Sequence, residues 1–289
     1  MSLFRWGVRC GRRDPYSHRM ANAKACEMTL TNEITIVVAT NDRDILERNL
    51  LASSCFRSAH GHQILVQEGF SSAAEAYNDG LQRSTNELVV FVHQDVFLPE
   101  GWMCRLDRTL QQLEKTDPAW GVLGCWGAKE NGEYRGHVYS SGWGVLGEGF
   151  ESPEPVQTLD EIVLIVRKSA GLRFDQHLPH FHFYGTDICM RAAKMGMKSY
   201  AMSAFCIHNT SQILRLPKDF YRCYFHIRGV WKDDLPIQTT CIRISRSNAH
   251  LYRRKLEEFC LSRLRRKCSP VPRSTDPMRI LEELEVAKG

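Results

Sequence analysis

The run Leu88 to Val92 (LVVFV), followed at once by His93, Gln94, Asp95 and Val96, constrains the fold more than any other stretch of this chain. An uninterrupted apolar run of that length reads as a strand buried on both faces, the situation of a central strand in a parallel sheet. Open α/β sheets bind their ligands just beyond the carboxyl ends of such strands. Asp95 therefore stands where a site residue is expected, and the plainer alternative is a turn aspartate ahead of Pro99.

Two upstream segments repeat the pattern. Ile34 to Ala39 (ITIVVA) ends in Thr40, Asn41, Asp42 and Arg43 and leads into a helical stretch from Ile45 to Leu51. Gln63 to Val66 ends in Gln67, Glu68 and Gly69, after which Ser71 and Ser72 can cap a helix over Ala73 to Gln82. Strands alternating with helices at this spacing predict βαβ units and a mostly parallel sheet. Its carboxyl rim would gather Thr40, Asn41, Glu68 and Asp95, a set suited to a nucleotide.

The ordered pieces VVATNDR (37–43), ILVQEGFSS (64–72), AYNDG (76–80) and VFVHQDV (90–96), with FHFYGTDICMR (181–191) further on, resemble the family 2 glycosyltransferases of GT-A fold. The strand-final HQDV is most similar to the bacterial subgroup typified by streptomycin-biosynthesis glycosyltransferase domains. The resemblance spans about residues 33 to 212. It implies a Rossmann-like α/β/α sandwich with a mostly parallel central sheet and C-terminal helices. The implied activity is transfer of a sugar from a nucleotide donor, a UDP sugar, to a carbohydrate or lipid-linked acceptor with inversion.

The same resemblance implies roles for particular residues. Asp95 matches the last acid of the family's metal-binding DxD element and would hold Mn²⁺ or Mg²⁺, with His93 in the place of the first acid. His208, at the end of a last strand over Tyr200 to Ile207, would complete the ion's coordination. Thr40, Asn41, Glu68 and Gln94 would line the nucleotide pocket. Asn78 would reach the ribose or diphosphate, or is the polar end of a helix before Gly80. Asp160 and Glu161, opening a strand to Arg167, would contact donor-sugar or acceptor hydroxyls. An inverting transfer needs one carboxylate to take the acceptor proton. Tyr184 and Gly185 stand where the family carries its acidic pair, so Asp187 is the nearest substitute base. Its other reading is a helix N-terminal residue paired with Arg191 at i, i+4.

Trp120 to Trp126 reads as a strand, and 127–150 as a glycine-rich loop whose Trp143 either lies against a sugar face or is plain surface. His177, His180 and His182 invite a zinc reading, but none of the 11 cysteines forms a CxxC pair to support one.

Composition bounds the rest. A chain of 289 residues with 43% hydrophobic content can bury a full core. No apolar run reaches the roughly 18 residues that span a bilayer, and the scattered cysteines suggest a reducing cytoplasm. Residues 1–32 read as a basic tail outside the fold, 33–230 as the catalytic domain and 231–289 as a helical extension. In that extension Asn248 to Cys268 is helix-like and basic, suited to packing on the domain, resting on an anionic membrane surface or binding a helical partner. SPVPRSTDP (269–277) then breaks the chain before a last helix. Nucleic acid is not an expected partner, because the basic residues avoid the site-bearing middle. Two alternatives stay open: a degenerate nucleotide-sugar binder, which His93 and Gly185 would suit, and a nucleotidyltransferase on a related scaffold.

Overall fold

The computed structural model describes residues 33–56, 61–211, 216–264 and 272–286. The expected basic tail at 1–32 lies outside the described residues, as do Arg265, Arg266 and Lys267 of the basic segment.

The chain begins with β1 (Ile34–Thr40), α1 (Arg43–Arg48), β2 (Gln63–Glu68), α2 (Ala73–Arg83) and β3 (Leu88–Val92). Caps set where the helices start. Asp42 accepts from the Ile45 amide at 3.1 Å and Ser72 from the Glu75 amide at 3.2 Å, each satisfying a first-turn donor. β1 pairs in parallel with β2 on one side and β3 on the other. Thereafter come β4 (Val96–Phe97), α3 (Trp102–Thr116), β5 (Val122–Gly124), β6 (Trp126–Ala128), β7 (Tyr134–Ser140), β8 (Gly144–Gly147), β9 (Glu154–Val156), β10 (Thr158–Leu159) and β11 (Val163–Arg167). The chain continues through α4 (Tyr184–Lys194), β12 (Ser199–Ala201), β13 (Cys206–His208), α5 (Lys218–Val230), α6 (Ala249–Leu264) and α7 (Pro277–Val286).

The main sheet has 7 strands in the order β2-β1-β3-β11-β5-β12-β9. β11 and β9 run against the direction shared by the others. Every residue of β3 is buried, as its apolar run requires. One face carries α2, α4 and α5 through Tyr77, Tyr184, Ile188 and Tyr224. The other carries α1 and α3 through Leu46, Trp102, Leu106 and Leu113. This is the α/β/α sandwich that the resemblance implies. α2 crosses β1 so closely that a Cβ on Gly80 would meet Val37 at 2.3 Å, so AYNDG needs its glycine for packing.

A second sheet, β10-β6-β7-β13-β4 with β8 on β7, departs from the sequence expectation. The expected strand 120–126 breaks at Cys125 into β5 and β6, one in each sheet, and 200–207 likewise splits into β12 and β13. Apolar periodicity cannot register a strand that changes sheets. The expected loop 127–150 instead contains the hairpin β7–β8, whose glycines serve its turn: Gly142 and Gly144 have φ of 80° and 77°.

The C-terminal segment packs on this body. Ile237, Ile242, Ile244 and Leu251 join the core that holds α4 and α5. Ile280 of α7 lies against Phe97 and Ile207 of the second sheet. Among the described residues no helix is long and apolar enough to cross a membrane. Cys104 on α3 is disulfide-bonded.

Candidate active site

Strand pairing, not nearness in sequence, assembles the center of the site. β3 ends at Val92, the chain turns through His93 to Asp95, and β4 begins at Val96. β13 runs antiparallel to β4 with His208 opposite Val96. The ladder extends by one bond, from the Asn209 amide to the Asp95 carbonyl at 2.9 Å. The ligand atoms of His93, Asp95 and His208 consequently lie within 4.8 Å of one another. Asp95 Oδ1 is 3.4 Å from His208 Nε2. One carboxylate and two imidazoles in that space fit a divalent ion, and imidazole favors a transition ion over Mg²⁺.

At His93 and Asp95 the charge balance suits that use. Burial and the facing His208 push His93 down to about 4, so its ring is neutral. His93 Nε2 lies 2.7 Å from the Tyr184 hydroxyl, which leaves the other ring nitrogen for a ligand. Burial alone would raise Asp95, but His208, His93 and Arg273 outweigh it and hold the carboxyl well below the usual carboxylate range. For His208, burial pulls down and Asp95 pulls up, and Asp95 prevails.

These residues open onto a cleft of about 940 Å³ that also presents Thr40, Asn41, Gln67, Trp126, Tyr134, Trp143, Asp160, Glu161 and Tyr184. That is the size of a pocket for a whole small-molecule cofactor or substrate. At one end Gln94 ties the turn after β3 to the turn after β1. Its Oε1 accepts from the Thr40 hydroxyl and, at 3.2 Å, from the Asn41 amide, while its Nε2 donates to Asn41 Oδ1 at 2.7 Å. Gln94 and Thr40 thus spend their polar groups on shaping the loop. Trp143 stands at the β7–β8 turn, half exposed, on the cleft wall.

Three expected site residues are elsewhere. Glu68 points outward and pairs with Arg43 at 3.1 Å, because alternation along β2 turns Gln67 inward in its place. Asn78 lies off the cleft and clamps the backbone of Phe174, donating to its carbonyl at 2.9 Å and accepting from its amide at 3.0 Å. Asp187 is 0% exposed. Its Oδ2 accepts from Arg191 Nε at 2.6 Å and its Oδ1 from Trp231 Nε1 at 2.9 Å, so neither oxygen faces a substrate. Burial raises this carboxyl despite Arg191.

Beside Asp95, the carboxylates that face the cleft among the described residues are Asp160 and Glu161. Asp160 accepts from the Ile162 amide at 3.2 Å and the Thr240 hydroxyl at 2.5 Å. Glu161 Oε1 accepts from the Gly185 amide at 3.3 Å. Burial, then the neighboring Asp160, pushes Glu161 up to about 8. A Cβ on Gly185 would stand 2.7 Å from the Leu159 carbonyl and 3.4 Å from Glu161 Cγ. The start of α4, where the family's acidic pair would sit, is therefore glycine because the β10–β11 turn, with Glu161, fills that space.

Residues 35–226 match the family described as "Glycosyltransferase like family". The chain belongs to this family. A curated relative, "ATP synthase subunits region ORF 6" of Fuscovulum blasticum, is 27% identical over 147 residues, 49% of this chain, and the match spans only 58% of that relative. Among solved structures, the mannosyltransferase PcManGT of Pyrobaculum calidifontis, in complex with GDP-Man and Mn²⁺, aligns with 70% of this chain and 63% of its own at 13% identity and a TM-score of 0.42. GalNAc-T7 with UDP, GalNAc and Mn²⁺ aligns with 70% and 49% at 9% identity and a TM-score of 0.48. S. aureus TarS 1–349 aligns with 68% and 64% at 14% identity and a TM-score of 0.42. The family match extends from β1 into α5 and so includes every cleft residue named above except Thr240.

Sequence reasoning passed over two groups at this site. Tyr184 hydrogen-bonds His93 and stands 3.4 Å from the Glu161 carbonyl, yet registered only as a missing acid. Arg273, between the last two helices, reaches Asp95 at 2.8 Å, and nothing in PRSTDP signals it.

Proposed function

We propose that this chain transfers a sugar from a nucleotide sugar, a UDP sugar in the first instance, to a hydroxyl of a carbohydrate or lipid-linked acceptor. The observation that carries this reading is the convergence of His93, Asp95 and His208 on the cleft rim of a glycosyltransferase-family chain. A divalent ion held there, Mn²⁺ before Mg²⁺, would supply positive charge to the departing nucleoside diphosphate. The Thr40–Asn41 turn, braced by Gln94, receives the nucleotide, and Trp143 with Trp126 and Tyr134 forms the sugar or acceptor end.

Glu161 is the base in this reading. The acceptor oxygen bonds to C1 of the donor sugar, its proton passes to the Glu161 carboxylate, and the C1–oxygen bond to the diphosphate breaks with its electron pair on the leaving group. The raised pKa supports the role, since a base titrating near the working pH accepts a proton most effectively. Asp187, with both oxygens committed, takes a structural part instead.

The test is a thermal-shift screen of UDP, GDP, CMP and dTDP and their sugars, each with Mn²⁺, Mg²⁺ or EDTA. One nucleotide class should raise the melting temperature with Mn²⁺ and not with EDTA. No shift with any combination rejects the nucleotide-sugar reading.

A further inference from the structure

The segment after α6 is joined to the metal-binding corner. Asn209, 0% exposed, follows His208 and holds that segment by its backbone: its Nδ2 donates to the Ser274 carbonyl at 2.8 Å and its Oδ1 accepts from the Ser274 amide at 2.9 Å. Asp276 then caps α7 by accepting from the Met278 amide at 2.9 Å, and Ile280 anchors that helix on Phe97 and Ile207. Between these anchors Arg273 donates from Nε to the Asn209 carbonyl at 2.7 Å and from Nη2 to Asp95 Oδ2 at 2.8 Å. Asp95 Oδ1 is left on the side of His208.

We propose that Arg273 is a positioning residue that shares Asp95 with the metal, one carboxylate oxygen each, and so places a fixed positive charge behind the diphosphate site. This rests on the metal and nucleotide reading above and assigns a part in it to a segment beyond the family match, which ends at residue 226. The physical consequence has two opposite signs. A guanidinium bonded to a metal-ligating carboxylate draws off part of its charge and repels a dication a few ångströms away, which weakens binding of the free ion. The same charge attracts a diphosphate in a cleft that screens poorly, which strengthens binding of the nucleotide and lessens its reliance on the metal. A merely structural role would move both affinities the same way.

The experiment measures three dissociation constants by calorimetry on the full chain: Mn²⁺ alone, and UDP or GDP with Mn²⁺ and with EDTA. Arg273→Met, of similar length and neutral, should bind Mn²⁺ alone about tenfold tighter and the nucleoside diphosphate in EDTA about tenfold more weakly, the scale of one nearby charge at a partly solvated site. Arg273→Lys should restore much of the nucleotide affinity. Melting curves for each variant show whether the fold is kept. If wild type binds Mn²⁺ and nucleotide but Arg273→Met leaves the constants within twofold, or shifts both in the same direction, this inference fails alone. If wild type binds neither, the functional reading fails and takes the inference with it.

Discussion

Asp95 and Asp187 are both buried carboxylates paired with an arginine, and their surroundings leave them different acceptor capacity. Each is buried, and each is bonded to an arginine, Arg273 or Arg191. The difference lies in the remaining acceptor capacity. Asp95 keeps Oδ1 on the cleft side, among two histidines whose ring nitrogens can coordinate. Asp187 gives Oδ1 to the Trp231 indole and has no edge on the cleft. Their pKa values diverge accordingly, Asp95 held low by surrounding positive groups and Asp187 raised by burial. A buried ion pair thus identifies a site only when one lone pair is left over and faces solvent-filled space.

Substitution should separate the two sharply. Asp95→Asn should lower turnover by about three decades, since it removes the anionic ligand on which charge stabilization depends, and it should also lower the melting temperature, because Arg273 loses its buried partner. Steady-state kinetics beside a thermal melt decides this, and retained activity with a large stability loss would reverse the roles. Glu161→Gln should cost about two to four decades. In wild type kcat/KM should rise with pH and level off above about 8, where Glu161 is ionized, and the variant should lack that limb. The matching stability term has the opposite slope. Because the folded state favors the neutral carboxyl, the contribution is full below its ordinary 4.5 and is lost as pH rises toward 8. Denaturant titrations across pH should find that loss in wild type and not in Glu161→Gln.

For Asp187→Asn the expected loss is in stability, about 3 kcal/mol by urea unfolding, because one partner of a buried pair is removed. Turnover per folded molecule should stay within about threefold, and a hundredfold fall would return Asp187 to the chemistry. The smallest effect belongs to the nucleotide end. Gln94→Ala should loosen the Thr40–Asn41 turn and raise the donor KM about tenfold with kcat little changed, the signature of lost ground-state binding.

The parts legible in the sequence are those governed by local pattern. The β1-α1-β2-α2-β3 order followed from apolar runs and from the Asp42 and Ser72 caps, and Asp95 from its place after LVVFV. Motif register brings Asp187 forward as a base but carries no information about Trp231, which fills its second oxygen. Glu68 lies outside the cleft and Gln67 inside it, since a single step along β2 exchanges inside for outside. The second sheet and Arg273 were invisible for a common reason. Both depend on pairing between distant segments, β13 with β4 and Asn209 with Ser274, and no local periodicity encodes such a meeting.

The proposed function stands on His93, Asp95 and His208 acting together as a metal site for a nucleoside diphosphate. Pulsed electron paramagnetic resonance of Mn²⁺ with the chain and UDP or GDP tests it most directly, by resolving which nuclei couple to the ion. Two imidazole nitrogens and a phosphorus should couple to the ion, with one nitrogen lost in His208→Ala. Mn²⁺ bound without nitrogen coupling, or with both nitrogens kept in that variant, would contradict it.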